Sequence, residues 1–478
     1  MKKGDLLELE ITGYAFEGKG VAKTIKEVNS LDEVPKKYVV FVEHSYPGDI
    51  VIAQLVKIKK SYAEARVKEF IKKSPFRTEP RCKYFGVCGG CKAQNLIYEQ
   101  QTKFKYEQVK EIFERIGGFS GFNMLPIIPS ENNFFYRNKM EFSFAVKRWL
   151  TDDEINSMQE IPDKDFSLGL HIPGLYDKVL NIDECFLQSE LSNRILNFTR
   201  FFFKSRAISI YSTQNHTGFL RNLIIRNSFH TSDLMINLVT SEENERLFTL
   251  YKDELIKEFP EVTTVINNIN LKKAQVATGD YEIIFHGPGF NYDFIGDKKF
   301  RISANSFFQT NTHQAERLYQ TAVDFAEFKG DEVVYDLYSG AGTIPIFISG
   351  LVKEIYGFES VVPAIEDAKV NIGLNNITNF QPVLADLNKS FLPTIEESKI
   401  PKPDIIIADP PRSGMNPKTV KDILELKPSK IVYISCNPST QARDIKLLCD
   451  EGYKLIKLQP VDMFPHTYHI ENVALLEI

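Results

Sequence analysis

The sequence predicts a multidomain α/β protein: a small N-terminal β-barrel like an oligonucleotide-binding fold, a central mixed α+β domain, and a C-terminal doubly wound sheet. Three observations carry this reading. At 478 residues the chain is too long for one ordinary core. Short β-branched and aromatic runs, broken by glycine and proline, fill residues 5–70. From Ala304 onward, apolar strands alternate with helical stretches, the pattern of a mainly parallel sheet.

The barrel is read from Leu6–Ile11, Tyr38–Val42, Asp49–Val56 and Ala63–Val67, with the glycine-bearing stretch Gly13 to Gly20 between the first two. Barrels of this kind often hold single-stranded nucleic acid, although many bind nothing. Residues 76–92 form a Cys/Gly-rich knot, and Ala93 through Ile116, free of Gly and Pro, reads as a helix until Gly117. Strand-like runs at Lys139–Phe144, Leu223–Arg226, Leu234–Val239 and Thr263–Asn267 then place a sheet in the central domain. The C-terminal sheet is read from Val333–Leu337, Glu354–Phe358, Ile405–Ala408 and Lys430–Ile434, preceded by a helix at roughly 312–327. The expected domains are 1–72, 73–300 and 301–478.

Composition sets the outer limits. A hydrophobic content of 43% and a charged content of 25% are those of a folded soluble protein. No apolar run approaches a membrane span, and Met1-Lys2-Lys3-Gly4-Asp5 lacks the apolar core of a signal peptide, so a cytoplasmic location and no membrane partner are expected. The net charge of −5 argues against a strong polyanion binder, but the charge is uneven. Residues 1–120 hold 22 Lys and Arg against 16 Asp and Glu, and the remainder 36 against 47. A mildly basic arm on an acidic body allows RNA contact without demanding it.

The chemistry-bearing motifs fall at ends of the C-terminal strands. Asp336-Leu337-Tyr338-Ser339-Gly340-Ala341-Gly342 follows one strand and opens a helix, and glycines there let a ligand approach the backbone. A lone Gly-x-Gly is more often only a turn. Here Glu359 ends the next strand, where a carboxylate usually meets ribose hydroxyls, and Asp386 ends a third, placed for an adenine amino group. Without the third glycine no pyrophosphate is implied, and the ordered set fits S-adenosylmethionine.

Asp409-Pro410-Pro411-Arg412 ends a further strand, its prolines stiffening a loop that can hold a planar base. Cys436, in Ile434-Ser435-Cys436-Asn437-Pro438, ends another. A buried structural cysteine is the commoner case. In this company a thiol makes sense if the target is C5 of a pyrimidine, which becomes nucleophilic only after thiolate addition at C6. A base must then remove the C5 proton, and Glu471, in Phe464-Pro465-His466-Thr467-Tyr468-His469-Ile470-Glu471, is the candidate.

Cys82, Cys88 and Cys91 with the remote Cys185 supply four thiolates, which suit a zinc ion or a four-iron cluster. Three close ligands and one distant one place iron–sulfur slightly ahead. Methyl transfer needs no electrons, so the group is expected to be structural or to position RNA.

Together these motifs resemble the RNA uracil-5-methyltransferase family, most closely its bacterial 23S rRNA members that carry an iron–sulfur cluster. The resemblance spans nearly the whole chain. It implies a TRAM domain for the barrel, a Rossmann-like methyltransferase for the C-terminal domain, and a 4Fe-4S cluster on Cys82, Cys88, Cys91 and Cys185. It further implies that Gln309, in Ser306-Phe307-Phe308-Gln309-Thr310-Asn311, contacts the methyl donor, that Tyr338, Gly340, Glu359 and Asp386 line its site, and that Asp409 lies between donor and uracil. Cys436 falls on the nucleophile and Glu471 on the proton acceptor. The helix after the cysteine knot is expected to pack on the catalytic domain. The expected activity is methylation of uridine C5 in 23S rRNA by a monomer. A tRNA substrate, or a ribosome-assembly factor whose catalysis is incidental, are the alternatives.

Overall fold

The computed structural model describes residues 1–25, 37–157, 164–274 and 276–478. Its N-terminal unit is a six-stranded sheet in the order Leu6–Glu10, Ile50–Ile58, Tyr62–Lys72, Lys37–Glu43, Lys19–Ile25, Gly13–Ala15. Ile50–Ile58 alternates buried and half-buried residues, which puts Val51, Ala53 and Leu55 on one inner face with Val40, Val42, Ala63 and Ala65. Three register shifts between Ile50–Ile58 and Tyr62–Lys72 bend the sheet around that interior.

The central sheet has eight strands, with Lys139–Ala145 and Leu220–Asn227 at its middle. Helices Glu190–Ser205 and Glu245–Glu258 pack together over a core that includes Phe142, Phe144, Phe202, Phe203 and Tyr251. The first of these helices is capped by Ser189, whose side chain accepts the Ser192 N–H.

The C-terminal sheet also has eight strands, in the order Phe380–Leu384, Glu354–Glu359, Val333–Leu337, Ile405–Ala408, Lys430–Ser435, Glu471–Glu477, Lys454–Val461, Asn123–Met124. The first five are mutually parallel, and Glu471–Glu477 runs antiparallel to both its neighbours. Strand order reverses at Val333–Leu337, so the loops after Val333–Leu337 and Ile405–Ala408 open a crevice there. Among the described residues no helix is long and apolar enough to cross a membrane.

Two features bind the front of the chain to this sheet. The helix after the cysteine knot spans Tyr98–Arg115, starting later than Ala93 because the backbone before it is engaged elsewhere: Ala93 N–H donates to His466 O and Ile97 N–H to Phe76 O. It buries Val109, Ile112 and Phe113 in the core of the C-terminal sheet, against helix Pro438–Cys449. Asn123–Met124 then adds as the edge strand, a two-residue element with no periodicity for sequence reading to find.

The contact that pins the helix is a buried ion pair, Lys105 Nζ to Asp462 Oδ1 at 2.7 Å, with the two side chains 4% and 0% exposed. Tyr98 Oη donates to the other oxygen of Asp462 at 2.8 Å. A carboxylate left alone at such a site keeps its full desolvation cost. Lys105→Ala should therefore destabilise the protein by about 3 kcal/mol or more, and Lys105→Met with Asp462→Asn should recover much of that loss. Urea unfolding followed by circular dichroism measures both, and an unchanged midpoint for Lys105→Ala would refute the pinning role.

Candidate active site

The crevice is a cavity of about 840 Å³ lined from four directions. Gly340 and Glu359 come from the first two strand ends, Asp409 and Arg412 from the fourth, Cys436 from the fifth, and Phe464, His469 and Glu471 from the segment entering the antiparallel strand. Gln309 and Tyr338 also line it. Seven of the eight sequence-predicted donor-site and catalytic residues are thus brought together.

At the donor end the turn is built for close approach. Gly340 has φ 53°, and a Cβ there would meet nothing within 4 Å, so its backbone faces open space. Gly342, at φ 77°, has the opposite constraint, since a Cβ would lie 2.8 Å from the Phe380 ring. Glu359 accepts the Gly340 N–H at 3.0 Å and the Ser360 and Val361 N–H groups at 2.7 and 2.8 Å, which fixes its carboxylate. Asp386 is the residue that does not join. Its carboxylate accepts the Asn388 N–H at 3.0 Å and pairs with Lys389 at 3.3 Å, half exposed and outside the cavity lining. The turn through Leu387 and Asn388 uses the side chain locally, as Asp does in Asx turns.

At the reaction end, Asn437 caps helix Pro438–Cys449 by accepting the Ser439 N–H, and its Nδ2 donates to Arg412 O at 3.1 Å. Thr440 Oγ1 donates to the same carbonyl at 3.2 Å, so the Asp409–Arg412 loop is tied to the Cys436 turn. Burial, then the nearby Glu471 and Asp409 carboxylates, push the Cys436 thiol up to about 11, with Arg412 acting against them. Burial pushes Asp409 up to about 7. Burial and Asp409 also hold Glu471 well above the usual carboxylate range. Burial and the Arg412 guanidinium bring His469 down to about 4, and Arg412 Nη2 lies 2.6 Å from its Nδ1.

Four participants escaped the sequence reading. In sequence Arg412 is marked only as the residue after two prolines, and His469 only as one of two histidines in a C-terminal motif. Asp336, 1% exposed with both oxygens unpaired, directly precedes the glycine turn, and burial, then Asp409 and Glu359, push it well above the usual carboxylate range. Its place in the Asp-x-Tyr-x-Gly motif was the available signal. Arg137 lines the cavity from the central domain and carried no local signal.

Cys82, Cys88, Cys91 and Cys185 line one second cavity of about 220 Å³. Gly90 N–H lies 3.4 Å from Cys88 Sγ, and Gln94 Nε2 lies 3.3 Å from Cys91 Sγ. Burial, with each neighbouring thiol adding to it, raises Cys91 to about 12 and Cys185 to about 11. Among the described residues no three His, Cys, Asp or Glu side chains close around a single ion. The four thiols ring a space instead.

The tRNA (Uracil-5-)-methyltransferase family profile matches residues 294–478, and the TRAM domain profile residues 2–68. The chain is 42% identical over 479 residues to an "uncharacterized RNA methyltransferase" of Chlorobaculum tepidum, covering 100% of this chain and 97% of the relative. A protein of the same name from Bacteroides thetaiotaomicron is 43% identical over 469 residues, covering 97% and 100%. Among solved structures it is similar to the Pyrococcus abyssi tRNA (uracil-54, C5)-methyltransferase in complex with S-adenosyl-L-homocysteine, with a TM-score of 0.72 and 28% identity over 98% of this chain and 100% of that one. A thiol and a carboxylate sharing a crevice with a glycine turn, within a chain that matches these relatives end to end, make this an RNA methyltransferase: the chain belongs to the RNA uracil-5-methyltransferase family and carries a TRAM domain at its N-terminal end.

Proposed function

We propose that this protein methylates C5 of a loop uridine in 23S rRNA, using S-adenosylmethionine, through a covalent adduct on Cys436. The observation that carries the reading is the convergence of Cys436, Glu471 and Asp409 in one cavity with the Gly340–Glu359 turn. An enzyme methylating an exocyclic amine has no use for the thiol. A nucleic-acid chaperone has no use for either group.

In this reading Cys436 Sγ adds to C6 of the uracil and the C5=C6 electrons pass to the O4 enolate. C5 then takes the methyl carbon, and the sulfonium S–CH3 bond breaks to leave a thioether. Glu471 removes the C5 proton, C5=C6 re-forms, and the Cys436 thiolate leaves. S-adenosylmethionine supplies the methyl group and a positive charge beside Cys436 and Glu471, two groups whose burial favours their neutral forms. Glu359 is assigned to the ribose hydroxyls, Gly340, Tyr338 and Gln309 to the rest of the donor, and Asp409 to the space between donor and base. Asp386 is left out of the donor set because Asn388 and Lys389 engage its carboxylate.

The four cysteines fit a 4Fe-4S cluster better than zinc. Zinc–thiolate bonds of about 2.3 Å draw four sulfurs to one point, whereas these thiols surround a cavity. Their mutual repulsion as thiolates is what a cationic iron core relieves. The ribosomal substrate rests on this cluster, through the resemblance to cluster-bearing members. A tRNA substrate is the second reading, favoured by the likeness to the P. abyssi tRNA enzyme.

Three outcomes are expected. Cys436→Ala should lower turnover by about 10⁴-fold or more, while Glu471→Gln should accumulate a covalent RNA adduct visible as a shifted band on a denaturing gel. Full-rate methylation by Cys436→Ala would refute the mechanism. Because the thiol titrates above neutrality, its thiolate fraction grows with pH, so trapping on 5-fluorouridine RNA should accelerate from about pH 6.5 to 9. Arg412→Met, which removes the opposing cation, should slow it throughout, and a pH-independent rate would contradict the thiol's position. In a strain lacking the gene, 5-methyluridine should vanish from 23S rRNA and persist in tRNA, and the reverse pattern would assign the tRNA substrate.

A further inference from the structure

Among the described residues, one cation of the cleft makes no ion pair. Arg137 lines both the cleft and the cysteine cavity. Its guanidinium stands 5.8 Å from the centre of the Phe464 ring, and its Nε is buried without a hydrogen-bond partner. Arg412, the other cation of the cleft, is engaged with His469. Around them lie the carboxylates of Glu359, Asp367, Asp409 and Glu471.

The backbone holds Arg137 in place from several sides. Phe135 N–H donates to Phe186 O at 2.7 Å and Arg137 N–H to Leu187 O at 2.8 Å, both next to Cys185. Tyr136 Oη donates to Pro465 O at 3.0 Å, in the loop before Glu471. Asn138 Nδ2 donates to Gln309 O at 2.8 Å. Four consecutive residues, the arginine among them, thus join the cysteine loop, the loop before Glu471 and the loop carrying Gln309.

A uridine can enter this cleft only with its phosphates, and the Glu359 and Asp367 carboxylates in its wall disfavour them. A guanidinium with unused donors on the cleft wall offsets that repulsion, and its planar fork suits two phosphate oxygens. The methionine carboxylate of the donor is the other anion in reach. Arg137 lies against Phe464 and contributes charge at His469, which are on the reaction side. We infer that Arg137 binds a backbone phosphate beside the flipped uridine, so that a residue braced on the cysteine-bearing loop sets the register of the RNA over Cys436. This rests on the RNA reading above.

The test is filter binding of an unmodified transcript that the wild-type holoenzyme methylates, from about 50 to 300 mM salt. Arg137→Gln should bind about ten-fold more weakly at low salt and flatten the salt dependence by about one charge, with affinity for S-adenosylhomocysteine unchanged. Arg137→Lys keeps the charge and loses the fork, so it should keep the wild-type slope at reduced affinity; it decides the matter if Arg137→Gln does not fold. An unchanged slope in Arg137→Gln, a flattened slope in Arg137→Lys, or a loss of S-adenosylhomocysteine affinity in either overturns the assignment. Trapping of wild type on 5-fluorouridine RNA separates the two layers. Its absence defeats the RNA mechanism and this assignment together, whereas trapping with an unaltered slope defeats this assignment alone.

Discussion

A single buried carboxylate, Asp462, holds the catalytic end of this molecule in register. It accepts from Lys105 and Tyr98 of the helix that follows the cysteine knot, and Tyr98 Oη in turn accepts the Ser130 N–H at 2.7 Å. Its own carbonyl accepts from Gln314, in the helix before the glycine turn. The chain then runs through His466, which has φ 65° and is clamped by Gln101 from both backbone and ring. Three residues later comes His469, and two after that Glu471. A loop with a left-handed non-glycine residue is strained and keeps its shape only when its surroundings over-determine it. The Asp462 and Gln101 contacts supply that determination, so the N-terminal third of the chain is a structural part of the catalytic unit.

Inside the site, electrostatics oppose the chemistry in a way that makes the donor part of the solution. Asp336, Asp409, Glu359 and Glu471 crowd one crevice, and burial pushes Asp336, Asp409 and Glu471 toward their neutral forms. Burial, and then the Glu471 and Asp409 carboxylates, likewise push the Cys436 thiol up. Such a site is unreactive toward stray electrophiles and gains ionised groups when positive charge arrives. A sulfonium is a positive charge. In the proposed mechanism the donor's charge would act on the same carboxylates that face Cys436.

How much of this the sequence disclosed depended on the range of each interaction. Four of the five parallel strands announced themselves as short apolar runs, because a strand buried on both faces needs no partner to be recognised, whereas the half-exposed edge strand Phe380–Leu384 did not. Cys436 stood out at the end of an apolar run, and Glu471 in a short C-terminal motif with two histidines. The later start of the Tyr98–Arg115 helix was not legible, since a bond from Ala93 to His466 crosses most of the chain. Nor was the local turn that engages the Asp386 carboxylate with Asn388 and Lys389, outside the cavity lining. Arg137 was invisible for a similar reason: nothing in Phe134-Phe135-Tyr136-Arg137-Asn138 indicates that it will meet two cavities.

The cysteine cavity belongs to this same long-range layer, and its geometry indicates what a cluster there would do. Cys185 is followed by Phe186 and Leu187, whose carbonyls accept from Phe135 and Arg137. Arg81, beside Cys82, places its guanidinium 4.2 Å from the centre of the Phe186 ring and within cation–π reach of Phe134 and Phe135. Phe134 packs against His466 with ring centres 4.4 Å apart and the planes tilted by 32°. Whatever fixes the four sulfurs therefore fixes the wall on which Arg137 stands and one side of the loop leading to Glu471. A redox group would need only to be near an electron acceptor, and a wide range of placements would serve. A bracing group has to touch both the loop it steadies and the anchor it steadies it against, and the cysteine loops meet that stricter condition.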